Sequence, residues 1–452
     1  MVDCVIVWFR QDLRLADNPA LTAALETGLP IFPIYILDDK NAGAWKIGGA
    51  SRVWLHHSLS ALNKSFQNKL NYFVGDAEKI LPHLIKEIGA TKIFWNRCYE
   101  PWRMERDKNI KENLSIPCVS ENGTLLWEPW TIKKSDGTPY RVFTPFYRKG
   151  CLIAQPPRNP LPKPSKLNLT DIKSSSSKSI DDLNLLPISP RWDIPMLNQW
   201  DIGEDGALKR MNEFLDIGLK GYKEGRNFPS KPHASKLSPH LHFGEISPNQ
   251  VWYASEYAGF HHKAESDLDH FHSELGWREF SHSLLYFNPD LPEKPLNKKF
   301  ENFEWANVDD EMMEKWKTGH TGFPIVDAGM RELYATGYMH NRVRMIVASF
   351  LVKDFRYHWR HGEDWFWDTL CDANLANNAA SWQWVAGCGA DAAPYFRVFN
   401  PSLQGEKFDP ENTYIKQWAP DSSSLKPVVD HSVARDAALA TYKGMTSLNP
   451  FG

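Results

Sequence analysis

The chain has 452 residues, 42% hydrophobic and 24% charged; that is more than one hydrophobic core usually accommodates, and it excludes disorder, collagen-like repeats and coiled coil as descriptions of the whole. No apolar run approaches the roughly 18–20 residues that cross a bilayer, and the opening MVDCVIVWFRQDL reads as a buried strand instead of a secretory signal, so an intracellular, cytoplasmic protein is expected. A formal net charge of −3 announces no wholesale phosphate neutralisation, and any nucleic-acid binding has to rest on a local patch.

In chain order, CVIVWF at 4–9 is a short buried-strand pattern, followed by a helical segment from Pro19 to Thr27, a second strand IFPIYIL at 31–37 and a helical stretch over 50–68. LNYFVGD at 70–76, a helix over 77–89 and TKIFWN at 91–96 continue the alternation, which predicts a parallel, Rossmann-like α/β sheet with helices on both faces over residues 1–130. The first loop lacks GxGxxG and no GxxxxGK[ST] occurs, so neither a dinucleotide fingerprint nor a P-loop is present. Residues 131–205 read as an interdomain connector, with PPRNPLPKPSK at 156–166 and KSSSSKS at 173–179 too rich in Pro and Ser to build a core. Over 206–452 the apolar residues recur at helical spacing, and an all-α second domain is expected. Six cysteines lie far apart without CxxC or Cys/His ligand spacing, which removes support for zinc, iron–sulfur and disulfide frameworks.

Nineteen tryptophans exceed what core filling requires and ask for an aromatic function. Between Glu224 and Glu245 there is no acidic residue, while Arg226, Lys231, His233, Lys236, His240 and His242 fall in that interval; this is either a solvated basic loop or a phosphate-holding one at a helix start. On SELGWREFSHSLL, Glu274, Trp277 and Arg278 share a helical face, which an ion pair beside a core Trp would also explain. After a Gly337 break, Asn341, Met345 and Ala348 line one stripe with Arg344 beside them, a costly composition for a core face unless partners answer it. In residues 371–410, Asp372, Asn374, Asn377 and Asn378 precede Trp382 and Trp384 with small residues between them. Amide groups can satisfy donors and acceptors of a heteroaromatic ring, and small residues let a flat ligand approach the backbone.

WFRQDLRLADNPAL at 8–21, GTPYRVFTPFYR at 137–148, LSPHLHFGEIS at 237–247, WREF at 277–280, TGFPIVDAGMRELYATGYMHNRVRM at 321–345 and the 371–410 block together resemble the photolyase/cryptochrome family, most of all bacterial cyclobutane pyrimidine dimer photolyases. The resemblance is colinear from residue 8 to about 443. It implies an α/β antenna-type domain, a connector, and a helical domain that binds FAD and damaged DNA. It makes Tyr222, Ser235, Ser238, Arg278, Arg344, Asp372, Asn374 and Asn378 neighbours of FAD, with Asp372 paired to Arg344 and Asn378 near the flavin N5. Glu274, Trp277, Asn341, Met345 and Trp384 would line the dimer pocket, and Arg226, Arg342 and Arg397 would grip phosphates. Trp382, Trp359 and Trp305 match the family's electron-transfer chain. The implied reaction is light-dependent repair, in which an electron passes from excited reduced FAD to a flipped-out dimer and returns after the ring splits. Base flipping is a known habit of photolyases, and Glu274 would hydrogen-bond to a pyrimidine carbonyl on which charge develops.

Two departures from the family pattern stand out. Asn374 replaces the usual Asp, and Trp102 and Arg103 stand where one folate-binding branch carries Asn-Glu, with no Cys-Lys pair after Leu291. The second, antenna chromophore therefore stays open between a reduced folate bound differently, a deazaflavin, and none. A monomer is expected, with DNA as partner and no membrane. The rival readings are a cryptochrome-type blue-light receptor without repair, a photolyase for (6-4) photoproducts, and a dark flavin redox enzyme. Trp277 and Met345 speak against the first, Asn341 and Met345 in place of His against the second, and the missing nicotinamide fingerprint against the third.

Overall fold

The structure, a computed structural model, describes residues 3–392 and 396–447. The chain folds as two compact units, each assembled from discontinuous segments. One comprises the chain up to Ile132 with Ala154–Asp216 and Ser235–Lys263; the other comprises Lys133–Ile153, Ile217–Ala234 and the chain from Ala264 onward.

The first unit forms five strands, with CVIVWF and IFPIYIL buried on both faces as a parallel sheet under helices requires. These are β1 (Cys4–Phe9), β2 (Ile31–Leu37), β3 (Asn71–Val74), β4 (Ala90–Asn96) and β5 (Cys118–Glu121), in the order β3-β2-β1-β4-β5 and parallel throughout. The sequence patterns find four of the five. β5 escapes them because CVSE is a four-residue edge strand, half-buried along its whole length, with no apolar run. Order reverses between β1 and β4, where open α/β sheets usually leave a ligand crevice at the carboxyl ends of the strands. Here the chain's own side chains converge at that end: Arg10 bonds both carboxylate oxygens of Asp107 at 3.1 and 2.9 Å, Arg106 bonds Asp38 at 3.2 Å, and both guanidiniums lie over Trp8.

Segment 154–216 packs with this unit through its backbone. Ile31 N donates to Asn168 O at 2.7 Å, Thr170 N to Ile31 O at 3.1 Å, and Lys178 N to Tyr72 O at 2.8 Å. Segment 235–263 joins the same unit by a close backbone approach. Gly244 lies at φ +66°, and a Cβ there would come within 2.1 Å of Gln11 O. Leu13 N donates to Phe243 O at 3.0 Å, and Arg14 Nη1 to Gly244 O at 2.9 Å. Two of the stretches that carry the resemblance, 8–21 and 237–247, are thus partners in packing.

The second unit contains no strand among its described residues. Its site-bearing helices are α1 (Glu265–Phe287), α2 (Asn341–Ser349), α3 (Trp359–Thr369) and α4 (Leu375–Ala386). They surround a core in which Trp316, Val326, Met330, Val347, Phe350, Trp359, Phe366 and Trp382 are buried. The helix Pro324–Thr336 ends on Gly337 at φ +67°, the left-handed conformation that glycine adopts without a Cβ penalty, and Gly337 O then accepts from Cys371 N at 2.8 Å. That turn brings the approach to α2 beside the approach to α4. None of the described helices is long and apolar enough to cross a membrane.

Candidate functional site

Two site helices begin on a histidine. His340 Nδ1 accepts from Arg342 N and His358 Nδ1 from Arg360 N, each at 3.2 Å, so each imidazole satisfies a helix-start donor as an N-cap oxygen would. α2 accordingly starts at the exposed Asn341 and carries Arg342, Arg344 and Met345, each half-buried, within its first turns.

Arg344 is held three ways: Nη1 and Nη2 donate to Asp372 Oδ1 and Oδ2 at 3.1 and 2.8 Å, and Nε to Met339 O at 2.7 Å. Burial works against its charge, and Asp372 more than restores it, so its proton is held more tightly than usual. The Arg344–Asp372 pairing implied by the resemblance is therefore present. Asn374 stands at the N-cap of α4, where its Oδ1 accepts from Asn377 N at 3.1 Å, while Nδ2 lies 3.5 Å from His282 Nε2. One turn on, Asn378 Nδ2 donates to Glu363 O at 3.0 Å, leaving its own Oδ1 as an acceptor.

A second group gathers around Glu274. Its carboxylate pairs with Arg226, 48 residues away, and not with Arg278 one turn along the same helix; Arg278 donates instead to Glu279 at 3.2 Å. Arg342 Nη2 donates to Asn227 Oδ1 at 2.5 Å, its Nη1 lies 3.8 Å from Met345 Sδ, and its guanidinium covers Phe408. Arg226 lies over Tyr222, which is buried. Burial and the neighbouring Arg226 both lower the proton affinity of Arg342. Trp277 is half-buried, as is Trp384, and Arg397 is exposed. Among the described residues neither Asn341 nor Trp384 hydrogen-bonds to the Arg226–Glu274 pair. Ser235 and Ser238 belong to the first unit, where Ser235 Oγ accepts from Leu237 N at 3.4 Å and Ser238 opens the short helix Ser238–Phe243. The basic interval 226–242 is not one phosphate loop. His233 Nδ1 lies 2.8 Å from Gly218 O in the second unit, and His240 is sealed against Glu245 at 2.5 Å in the first.

Trp382 is buried against Phe366 and Trp316, with ring centroids 5.0 and 6.4 Å away, and it lies on Gly362, where a Cβ would sit 2.0 Å from its Cη2. Gly362 is one helical turn from Trp359 on α3. Trp359 in turn is 5.3 Å from the ring of His358, whose other neighbour is Trp305 at 5.1 Å. The imidazole therefore stands between two tryptophans of the expected chain. Sequence reasoning missed His358. It also missed Glu363, fully buried with neither carboxylate oxygen hydrogen-bonded and its proton affinity raised by burial. The available signal for Glu363 was its place at i+4 from Trp359 and i−3 from Phe366, on the apolar stripe of α3.

Residues 271–437 match the family model of the FAD binding domain of DNA photolyase, and residues 5–165 match the DNA photolyase model. The deoxyribodipyrimidine photo-lyase of Agrobacterium fabrum is 46% identical over 472 residues, covering 97% of each chain. Cryptochrome-2 of Arabidopsis thaliana is 37% identical over 440 residues, covering 93% of this chain and 71% of that protein. Among solved structures, a bacterial class III photolyase from Agrobacterium tumefaciens superposes with a TM-score of 0.93 at 45% identity, covering 99% of this chain and 98% of that one. The second unit's residues fit FAD. Among the described residues the buried Ser283 Oγ and Glu363 carboxylate have no hydrogen-bond partner, and two asparagines and the small Ala373, Ala376 and Ala379 share one stretch of chain with Asp372, the partner of Arg344.

Burial, then the cations His361 and Arg360, push the His358 imidazole down from 6.5 to about 4. A histidine whose folded value lies below its unfolded one contributes stability that is complete above pH 6.5 and lost as pH falls toward 4. Discounted for partial exposure, the loss should be about 1–2 kcal/mol. His358→Asn, which keeps a capping acceptor and cannot titrate, should flatten the acid limb by that amount in urea unfolding at pH 7 and pH 4.5. Parallel acid limbs in the two proteins would refute it.

Proposed function

Because this chain belongs to the photolyase/cryptochrome family, we propose that it repairs cyclobutane pyrimidine dimers in DNA with light, as a deoxyribodipyrimidine photo-lyase. One observation carries the reading: a half-buried Trp277 accompanied, within a single unit, by one carboxylate, Glu274, and two guanidiniums, Arg226 and Arg342, in a chain of net negative charge. An indole face stacks a flipped base, an interaction worth about 1–3 kcal/mol per base. Guanidiniums grip phosphates and fix the register on the duplex. Arg226 and Arg342, with the exposed Arg397, take that role; Trp277 and Trp384 take the pyrimidine faces; Asn341 and Glu274 take their polar edges; Met345 fills the gap between.

Glu274 changes partner in this scheme. While paired with Arg226 it is an anion and can only accept a hydrogen bond. Once Arg226 turns to a phosphate, Glu274 accepts a thymine N3–H at the edge of the extruded base. When bound in its reduced form, FAD would supply the light-driven electron for ring opening and its return. Arg344, Asp372, Asn374, Asn378, Arg278 and Tyr222 would hold the cofactor, with Asn378 Oδ1 free to accept a hydrogen bond at the ring edge. Trp382, Trp359 and Trp305 would carry electrons inward when the resting cofactor is oxidised. The same reading makes the protein a cytoplasmic monomer. A blue-light receptor without repair is the second reading, supported by the identity with a plant cryptochrome.

The deciding experiment gives the purified protein an oligonucleotide with one defined cyclobutane thymine dimer, under blue light and in darkness. Restored thymines in the light alone are expected; intact dimers after illumination of fully reduced protein would transfer the assignment to the receptor. Arg344→Leu removes the guanidinium that bonds both oxygens of the buried Asp372, at a cost of about 3–5 kcal/mol, and should lose flavin; an unchanged ratio of flavin to protein absorbance rules the pairing out as a cofactor anchor. Trp382→Phe should block photoreduction of the flavin while chemically reduced enzyme still repairs, and loss of both activities contradicts its place in the electron path.

A further inference from the structure

The motif at 137–148 takes no part in the scheme above, yet it supplies the closest aromatic contact to the site. Its segment, 133–153, belongs to the second unit and is strapped to α1: Arg148 donates to both oxygens of Asp269 at 2.6 and 2.5 Å. From this strap the Phe143 ring stacks on Trp277 with centroids 3.8 Å apart and planes inclined by 10°. Tyr147, one helical turn later, stacks behind Phe143 at 5.7 Å and 6°. Phe280 closes the side, edge-on to Phe143 at 6.0 Å and to Trp277 at 5.8 Å. The helix is shaped to receive the stack. Residue 276, next to Trp277, is a glycine, and a Cβ there would lie 2.5 Å from Tyr147 Cδ2 and 2.8 Å from Cε2. A missing side chain thus seats the outer ring against α1, and the inner ring covers one face of the indole.

We propose that Phe143, backed by Tyr147, is a positioning residue for damaged-DNA recognition: the stack fixes the plane of Trp277 so that its remaining face meets the flipped pyrimidine pair. The inference rests on the repair reading. An indole braced from behind has its ordering cost met before the ligand arrives, and affinity rises accordingly. A core filler would do something else: its loss would weaken the whole unit, with flavin retention and binding to any DNA falling together.

The test uses the flavin-loaded protein and two oligonucleotides of one sequence, with and without a single thymine dimer. Phe143→Leu and Tyr147→Leu should weaken binding of the dimer oligonucleotide by roughly three- to tenfold, leave the undamaged affinity and the flavin content unchanged, and reduce the near-ultraviolet circular dichroism of the stacked rings. Phe143→Tyr should restore both affinity and dichroism. If Phe143→Leu sheds its flavin, Tyr147→Leu, which keeps the inner ring, decides. Unchanged dimer affinity in the leucine variants, or equal losses on both oligonucleotides, overturns the proposal while leaving the repair reading intact. If the unsubstituted protein does not distinguish the two oligonucleotides, the repair reading falls and takes the proposal with it.

Discussion

The Arg344–Asp372 pair governs the second unit. Asp372 is nearly inaccessible and the half-buried Arg344 bonds it through both terminal nitrogens, so the carboxylate, shielded from water, depends on that guanidinium. The consequence is geometric. Arg344 belongs to α2, the helix of Asn341, Arg342 and Met345, while Asp372 stands three residues before α4, the helix of Asn378, Trp382 and Trp384. One ion pair therefore sets the mutual placement of the residues assigned to the lesion and those assigned to the cofactor. Three further bonds keep that placement from sliding: Arg344 Nε to Met339 O, Cys371 N to Gly337 O, and Lys353 Nζ to Ala386 O at 2.7 Å, which fastens the far end of α4.

Within this frame, absent side chains matter as much as large ones. Gly362 lets Trp382 lie on the backbone of α3, and Gly276 lets Tyr147 lie on α1. In both places a methyl group would displace an aromatic ring. The tryptophan surplus divides accordingly. Trp8, Trp54, Trp95 and Trp316 are fully buried, and Trp54 and Trp316 donate to Glu245 and to Val347 O; these four are structural. Trp305, Trp359 and Trp382 instead form a series along α3 and its approaches, with His358 between two of them. An imidazole kept uncharged by burial and by its capping bond places no extra positive charge beside that series.

Legibility followed locality. β1 and β2 were read to the residue, because an unbroken apolar run bounded by turns has one economical interpretation. The helical unit, the Gly337 stop and the composition of α2 were equally readable. Apart from the Arg344–Asp372 pair, which the resemblance implies, what depends on distant partners is not legible in the pattern. Glu274 has Arg278 at i+4, yet its carboxylate meets Arg226. Residues 154–216 look like linker because Pro and Ser erase periodicity, but backbone bonds to β2 and β3 hold them in the first unit, and such bonds leave no trace in side-chain pattern. Phe143 was quoted within a motif without a role, since a stack across 134 positions cannot be inferred from spacing. The resemblance makes Asn374 a neighbour of FAD, and spacing does not show that its amide oxygen is bound to Asn377 N as a helix cap, a local competition characteristic of asparagine.

Under the proposed function, the arrangement around Glu274 would let an acidic chain discriminate on DNA. Arg226 and Arg342 repel, and the carboxylate beside them offsets one of the two charges. Because the pair is partly exposed, its net contribution to stability is small, about 0–1 kcal/mol, and a phosphate can displace Glu274 from Arg226 at little cost. The displaced carboxylate is then the unpaired group. On intact DNA water meets this partly exposed carboxylate; an extruded base would offer it an N–H donor instead. Under the proposed function, backbone contact and base contact are thus linked through one side chain. Selectivity would then come from the hydrogen bond that only an extruded base offers Glu274, and the net attraction between protein and polyanion need not be large.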